Sequence, residues 1–207
     1  ASDVAIAVSE DAGTTGTAPV TPHDDGTPTE HGFVSLFPAH DGVGAIWLDG
    51  RRLAGGHAAH DGGTAGVGTE LRSATLVGDA VTASTVLDAL VCDCCQTDVA
   101  MGAHGPIVAY RDRSVDEVRD ISVARVVGAV WQPGVAVARD GWKIDGCPVN
   151  GPAISADGAN VAVAWYTAAG DVPRVRLARS TDAAASFGQA FDVDATNVIG
   201  RVDVELV

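Results

Sequence analysis

The most regular feature of the sequence is a short apolar run that ends in an aromatic residue. It occurs three times, and the runs end at Trp47, Tyr110 and Trp165. The runs are residues 44–47, 107–110 and 162–165. Each follows a segment typical of a turn, at residues 40–42, 103–105 and 156–158. We therefore predict three β-hairpins whose second strands place an aromatic side chain in the core.

A second series of apolar runs follows the first. Residues 71–75, 121–125 and 175–179 each come after an aromatic-ended run and a polar loop, and are predicted as third strands. Residues 189–193 are predicted as a fourth, edge strand. The pattern thus repeats at intervals of roughly 50 to 60 residues, with three or four strands in each unit.

Repeated antiparallel units of this size are typical of a β-propeller, in which radial repetition protects the sheet edges. We predict an all-β fold with four-stranded antiparallel blades. Residues 1–207 are expected to form a single segment of about three blades with partial blades at both ends. Since propellers have roughly four to eight blades, we expect the rest of the propeller to be missing. Residues 201–207 are interpreted as the opening strand of a further blade.

Composition narrows the function classes. The chain has 207 residues, of which 46% are hydrophobic and 19% charged, so it can bury a core. Its formal charge of -14 disfavours nucleic acid and anionic membranes, while a cationic ligand or Ca²⁺ stays compatible with it. No apolar run is long enough to span a bilayer. The predictions are no nucleic-acid partner, no membrane span and no required cofactor, with calcium or copper as alternatives.

Two segments resemble the Asp-box, Ser-x-Asp-x-Gly-x-x-Trp/Phe, of the bacterial neuraminidase repeat found in sialidases and sialidase-like proteins. The residues that carry the resemblance are Ser9, Asp11, Ser180, Asp182 and Phe187. Ala184 replaces the usual glycine in the second copy, and Gly16 replaces the aromatic residue in the first. We interpret both aspartates as acceptors of backbone N–H groups that hold a turn, not as catalysts.

The cysteines are Cys92, Cys94, Cys95 and Cys147. Four cysteines in a chain of this size predict two disulfides in an oxidising compartment, so we expect a secreted or periplasmic protein whose leader is missing. Cys147 is expected to pair with Cys94 or Cys95, and Cys92 with the remaining one. The alternatives are a redox-active pair, or a Cu(I) or Zn²⁺ site on the four cysteines helped by histidines at 57, 60 or 104.

Charged residues gather at the ends of two predicted strands, where propellers commonly bind ligands. The candidate ligand-binding residues are Arg111, Asp112, Arg113, Arg119, Asp120 and Trp142. Residues 49–51, Asp-Gly-Arg, hold a comparable place in the preceding unit. The resemblance to sialidases implies an arginine triad that clamps a carboxylate, because arginine binds carboxylates in a bidentate manner. Structural salt bridges, such as Arg111 with Asp120, are the competing interpretation.

The resemblance to sialidases does not extend to their catalytic residues. The Phe/Tyr-Arg-Ile-Pro motif of the first clamp arginine is absent, and Tyr110 and Tyr166 lie in runs predicted as core. Trp142 is likewise interpreted as a packing residue or the wall of a sugar or peptide pocket. The Gly-rich loop of residues 51–69, with His57, His60 and Asp61, is a further place where function is expected.

The sequence thus predicts a binding or scaffold module of the sialidase-like type. Its expected partners are a carbohydrate or protein ligand, and the remaining blades or another subunit. One alternative is an exo-sialidase or other glycoside hydrolase whose catalytic residues lie partly in missing blades. The other is a protein that handles copper or another metal through the cysteine cluster.

Overall fold

The computed structural model describes residues 2–23, 25–54 and 66–207. Within these ranges the chain forms β-strands and two short 3₁₀ helices, Arg51–Leu53 and Ala169–Asp171. The predicted all-β class with antiparallel sheets is confirmed. None of the helices in the described ranges has the length and apolar character needed to cross a membrane.

The strands form three sheets that follow one another along the chain. Sheet 1 contains β1 (His31–Ala39), β2 (Gly42–Asp49), β3 (Thr69–Val77), β4 (Ala80–Val81) and β5 (Thr85–Val91). Sheet 2 contains β6 (Asp98–Gly102), β7 (Gly105–Arg111), β8 (Ile121–Val127), β9 (Val130–Trp131) and β10 (Val135–Ala136). Sheet 3 contains β11 (Ala153–Asp157), β12 (Asn160–Thr167), β13 (Arg174–Ser180) and β14 (Phe191–Asp194).

Each sheet is an antiparallel meander of four strand positions. In sheets 1 and 2 the outermost position is split, because β4 and β5 both pair with β3, and β9 and β10 both pair with β8. Pro133 lies in the gap between β9 and β10, where a residue without an N–H group cannot continue the hydrogen-bond ladder. In sheet 3 the predicted edge strand is found as β14, paired with β13.

The first strands of the three sheets are neighbours. β6 contacts both β1 and β11. Between β1 and the start of β6, the hydroxyl oxygens of Ser35 and Thr97 are 2.7 Å apart. Between β6 and β11, the backbone N–H of Ile154 donates to Asp98 Oδ2 at 2.8 Å. The first strands therefore meet side by side, with the starts of β6 and β11 at the same level.

Apolar side chains fill the space between consecutive units. One core lies between sheets 2 and 3, and a second lies between sheets 1 and 2. A third core is formed by Val4 and Ile6 of the N-terminal segment against the other face of sheet 1. That segment folds back on itself through an antiparallel bridge between Ile6 and Val20. Every interface between successive units is thus closed by hydrophobic packing.

The three aromatic residues that end the second strands occupy matching places. Trp47, Tyr110 and Trp165 lie at the same position counted from the first residue of β2, β7 and β12, and all three are buried. Each also donates to an aspartate. Their acceptors are Asp49 at 2.8 Å, Asp88 at 2.8 Å and Asp140 at 2.7 Å, respectively. In each sheet, a hydrogen bond to an aspartate therefore compensates for the burial of the indole N–H or the tyrosine hydroxyl.

The described strands do not close into a complete ring of sheets, so the propeller assignment stays a prediction. Residues 201–207, predicted as an opening strand, have no strand assignment. They run beside sheet 3, where the N–H of Leu206 donates to Ser155 Oγ at 3.1 Å.

Candidate functional site

Polar and charged side chains concentrate at one end of the sheets. This end carries the residues that precede β1, β6 and β11 and those that follow β2 and β7. It holds two clusters of mostly buried polar and charged side chains. The histidine–carboxylate cluster consists of Asp3, His23, Asp25, His31, Asp49 and Arg51. The arginine–tryptophan cluster consists of Arg111, Arg113, Glu117, Arg119, Asp120 and Trp142.

His31 is the centre of the histidine–carboxylate cluster. It is the first residue of β1, and its side chain is fully buried. Its Nε2 lies 2.9 Å from Asp25 Oδ2 and 3.5 Å from Asp49 Oδ1. Burial alone would raise the pKa of Asp25, but hydrogen bonds from Thr27 and then from His31 lower it to about 2. Asp25 is therefore ionised and accepts a hydrogen bond from His31.

Asp49 anchors the other side of this cluster. It ends β2 directly opposite His31 in the sheet register. Its carboxylate receives two hydrogen bonds from the Arg51 side chain, each 2.7 Å long, and one from Trp47 Nε1. Burial alone would raise the pKa of Asp49, but these hydrogen bonds, that of Arg51 foremost, keep it lowered. The bidentate pair fixes a charged carboxylate beside His31.

His23 completes the cluster by stacking on His31. The two ring centroids are 3.7 Å apart and the ring planes differ by 5°. Burial lowers the pKa of His23, and the neighbouring His31 lowers it further. His23 Nε2 accepts a hydrogen bond from the N–H of Val4 at 3.2 Å. At neutral pH His23 is thus uncharged, with Nε2 as its unprotonated nitrogen.

Arg111 is the centre of the arginine–tryptophan cluster. It ends β7, is buried, and donates to the carbonyl oxygens of Asn150, Arg119 and Tyr166. Its guanidinium carbon lies 4.9 Å from the centre of the Trp142 ring. Burial lowers the pKa of Arg111 to about 9, which still leaves it protonated at neutral pH. Arg111 therefore joins sheet 2 to sheet 3 and to the segment that precedes it.

Asp120 positions Trp142 instead of pairing with Arg111. Its carboxylate accepts the N–H groups of Gly141 and Trp142, at 3.1 and 3.2 Å. The Trp142 ring meets Tyr166 edge to face, with centroids 5.6 Å apart. Asp120 therefore holds the indole over Arg111, which matches the packing interpretation of Trp142. A wall of a ligand pocket formed by Trp142 stays a prediction.

Glu117 engages the two other candidate arginines. Arg113 donates to Glu117 at 2.6 Å and Arg119 does so at 2.7 Å. Burial alone would raise the pKa of Glu117, but hydrogen bonds from Arg113 and then Arg119 lower it. Asp112 accepts from the N–H of Arg113 and from Ser122 Oγ. The structure thus brings the predicted charged residues together, mainly as partners of one another, and their role in ligand binding stays a prediction.

The four cysteines form two disulfides, Cys92–Cys95 and Cys94–Cys147. The Cα atoms are 5.8 Å apart in the first pair and 6.1 Å apart in the second. The predicted disulfides are confirmed, with Cys94 as the partner of Cys147. Disulfide sulfurs lack the negative charge of the thiolates that hold Zn²⁺ or Cu(I), so this oxidised form does not offer the thiolate site considered from the sequence.

The two Asp-box segments form turns with the same hydrogen bonds. In the second copy, Ser180 Oγ donates to Asp182 Oδ1 and accepts the N–H of Ala184, while Asp182 accepts the N–H and hydroxyl of Ser186. In the first copy the corresponding residues are Ser9, Asp11, Gly13 and Thr15. Phe187 packs against the core between sheets 2 and 3. These contacts are the ones that a turn-holding aspartate requires.

The long loop considered from the sequence is only partly described. Its residues His57, His60 and Asp61 lie outside the described residues. His40 is exposed in the β1–β2 turn, where Nδ1 contacts Asp41 at 2.6 Å. His104 is exposed in the β6–β7 turn. An open cleft of about 340 Å³ is lined by residues 149–150 and 199–201, next to the Asn150 carbonyl that Arg111 binds.

The histidine–carboxylate cluster is the site that sequence reasoning missed. Only Asp49 and Arg51 were singled out, whereas Asp3, His23 and His31 were not. A signal was available, because two histidines and two aspartates fall within residues 23–31, which lead into the first predicted hairpin. Compared with known proteins, the sequence matches no family model and no curated protein.

Proposed function

We propose that this chain is a segment of a sialidase-like, Asp-box β-propeller that acts as a binding or scaffold module in a secreted or periplasmic setting. The observation that carries the proposal is the relation of the three sheets, whose first strands lie side by side and whose interfaces are filled by successive hydrophobic cores. Four-stranded meanders packed face to face around their first strands are the building principle of a propeller.

The N-terminal segment supports the same architecture. Its Asp-box turn lies between paired residues Ile6 and Val20, as the second Asp-box lies between β13 and β14. The segment also packs on sheet 1 in the way that each sheet packs on the next. It therefore corresponds to the last two strands of a preceding blade. Two disulfides support an oxidising compartment.

The polar end of the sheets is the proposed binding surface. Loops at this end are held by the Cys94–Cys147 disulfide and by the buried Arg111, so they present a preformed surface. The open cleft at residues 149–150 and 199–201 lies beside these supports. We favour a carbohydrate ligand, because an Asp-box propeller with polar loops resembles sialidases; a protein ligand is the alternative.

The candidate arginines already have hydrogen-bond partners within the protein, and this favours a ligand-binding function over hydrolysis of a sialoside. A carboxylate clamp needs arginine donors that are directed at the ligand. Arg111 instead donates to three backbone carbonyls, and Arg113 and Arg119 share Glu117. Tyr110, one of the two tyrosines, is buried and donates to Asp88. We therefore expect no sialidase turnover from this chain.

The proposal is tested by measuring turnover and binding on the same preparation. A fluorogenic sialoside should not be cleaved, whereas sialylated or neutral oligosaccharides in a glycan panel should be retained. Turnover that is lost in Arg113→Ala but kept in Arg139→Ala, an exposed arginine, would support the hydrolase alternative instead. Absence of binding to every oligosaccharide would contradict the carbohydrate ligand.

A further inference from the structure

The N-terminal segment is attached to the rest of the molecule through a buried histidine. The N–H of Val4 donates to His23 Nε2 at 3.2 Å, and His23 is only 8% exposed. Further along, Ile6 and Val20 exchange backbone hydrogen bonds of 2.9 and 2.8 Å. Val4 and Ile6 also bury their side chains against sheet 1. The first arm of the segment, residues 2–8, is thus held by polar and apolar contacts together.

The contact with Val4 requires that His23 is neutral. A backbone N–H group can only donate, so His23 Nε2 must present a lone pair to it. A protonated imidazole carries hydrogen on both nitrogens, and its Nε2–H would face the Val4 N–H, donor against donor. A buried N–H group that loses its acceptor is destabilising. Protonation of this one ring therefore weakens the attachment of the first arm.

The surroundings of His23 disfavour its protonated form. Burial lowers the pKa of His23, and the stacked His31 ring, with centroids 3.7 Å apart, lowers it further. Three carboxylates act in the opposite direction without restoring the ordinary pKa of 6.5. They belong to Asp3 in the first arm, Asp25 before β1 and Asp49 at the end of β2.

The geometry explains why these carboxylates have a limited effect. Asp25 and Asp49 lie 3.2 and 2.7 Å from the guanidinium group of Arg51, which balances part of their charge. Asp3 Oδ1 lies 3.9 Å from His23 Nε2, but the Asp3 side chain is 66% exposed, so water screens it. A positive charge on His23 is therefore incompletely compensated within the cluster.

From these contacts we propose that His23 is an acid-sensitive latch, which holds the first arm on sheet 1 while the ring is neutral and loosens it when the ring is protonated. Loosening uncovers the apolar face of sheet 1 on which Val4 and Ile6 pack. That face is formed by Ala45, Trp47, Ala74 and Leu76. The latch is independent of the carbohydrate binding proposed above.

The direction of the pH dependence follows from the lowered pKa of His23. Above pH 6.5 the ring is neutral whether the arm is bound or free. When the arm is free, the ring is open to water and its pKa returns toward this ordinary value. As the pH falls below 6.5, protons therefore favour the free form, by up to about tenfold per pH unit, until the pH passes the lowered value of the bound form.

The test is amide hydrogen exchange of the 207-residue chain, followed by NMR from about pH 7.5 to about pH 5. After correction for the intrinsic exchange rate, the protection of the Val4, Ile6 and Val20 amides should fall by at least about threefold across this range. The amide of Val163, within β12, should keep its protection. ¹⁵N NMR at about pH 7.5 should show His23 Nε2 without a proton.

His23→Gln removes the titrating group and supplies a neutral side chain whose oxygen can accept a hydrogen bond. Whatever the absolute protection of its Val4 amide, this variant should lose the pH dependence over the same range. His40→Gln is the matched control, because His40 is exposed and contacts Asp41. It should keep the pH dependence of the wild type.

The proposal is overturned if the protection of Val4 does not change with pH in the wild type, or if His23→Gln keeps the change. It is equally overturned if Val163 loses protection in step with Val4, because acid would then unfold the whole molecule. A protonated His23 Nε2 at about pH 7.5 would contradict the neutral ring on which the latch depends. These wild-type measurements decide the proposal even if His23→Gln does not fold.

Discussion

At the scale of single residues, the two Asp-box turns show how burial changes the value of one set of hydrogen bonds. Ser180 and Ser9 make equivalent contacts within their turns. Ser180 is buried, and the N–H that it accepts belongs to the fully buried Ala184. Ser9 and its partner Gly13 are exposed. If the serine hydroxyl is removed, water can accept a hydrogen bond from the exposed N–H group of the first turn, but it cannot reach the buried N–H group of the second.

We expect Ser180→Ala to destabilise the protein by about 2 kcal/mol, because it leaves the N–H of Ala184 without an acceptor. Ser9→Ala is the matched control and should cost less than about 1 kcal/mol. The free energy of unfolding from urea denaturation checks both values. Equal losses in the two variants would show that burial of the turn has no influence.

The same comparison explains why alanine replaces glycine in the second Asp-box. Ala184 has a φ of 61°, a left-handed conformation that costs a non-glycine residue about 1 to 2 kcal/mol. Its methyl group is fully buried in the core between sheets 2 and 3, and each buried carbon of this kind contributes about 0.8 kcal/mol. Burial thus offsets much of the strain. Gly13, at φ 86°, has no atom within 4 Å for a methyl group to contact.

Asp182 should give the fold a defined acid sensitivity. Hydrogen bonds from Ser186 and Ser180 lower its pKa from 3.8 to about 2. A carboxyl group with a lowered pKa stabilises the fold above its unfolded pKa, and this contribution is lost as the pH falls through the folded value. The stability difference between wild type and Asp182→Asn should therefore narrow as the pH falls from 4 to 2. The free energy of unfolding of both proteins, measured by urea denaturation across this pH range, checks the prediction. A difference that stays constant with pH would contradict it.

Residue-level prediction from sequence worked where contacts are local and failed where they are not. The Asp-box contacts span four positions, so a motif shows them. The histidine–carboxylate cluster joins residues from position 3 to position 51, and only the folded β1–β2 pair brings them together. Arg111 was similarly interpreted from its charge, because its carbonyl acceptors at Asn150 and Tyr166 are invisible in the local sequence.

At the scale of elements, the apolar runs located the inner strands accurately. The predicted third strands at 71–75, 121–125 and 175–179 lie within β3, β8 and β13. The splitting of the outer strand into β4 with β5, and into β9 with β10, was not predicted. β4, β9 and β10 have two residues each and leave no periodic pattern, since their pairing is determined by the neighbouring strand.

The two disulfides differ in the length of chain that they close, and their contributions to stability should differ accordingly. Cys94–Cys147 has a sequence separation of 53 and should contribute about 4 kcal/mol in the chain-entropy model. Cys92–Cys95 has a separation of 3 and should contribute about 2 kcal/mol. Replacing each pair by serines and measuring the free energy of unfolding compares the two. A larger loss from the Cys92–Cys95 pair would contradict the loop-length argument.

At the scale of the whole molecule, we propose that the three sheets are successive blades of one propeller. The sequence repeat predicts equivalent units, and the matching positions of Trp47, Tyr110 and Trp165 agree with it. Periodicity in sequence defines the unit but not the rotation between units, which depends on how neighbouring sheet faces pack. The relation of the sheets to a common axis is therefore the part that the sequence alone leaves open.

A crystal structure of the 207-residue chain tests this claim most directly. In a propeller, the rotation relating β1–β3 to β6–β8 should share its axis with the rotation relating β6–β8 to β11–β13, with the three aromatic residues superimposed. Sheets stacked in parallel layers, or strands exchanged between sheets through Greek-key crossovers, would contradict the propeller and the binding surface proposed on it.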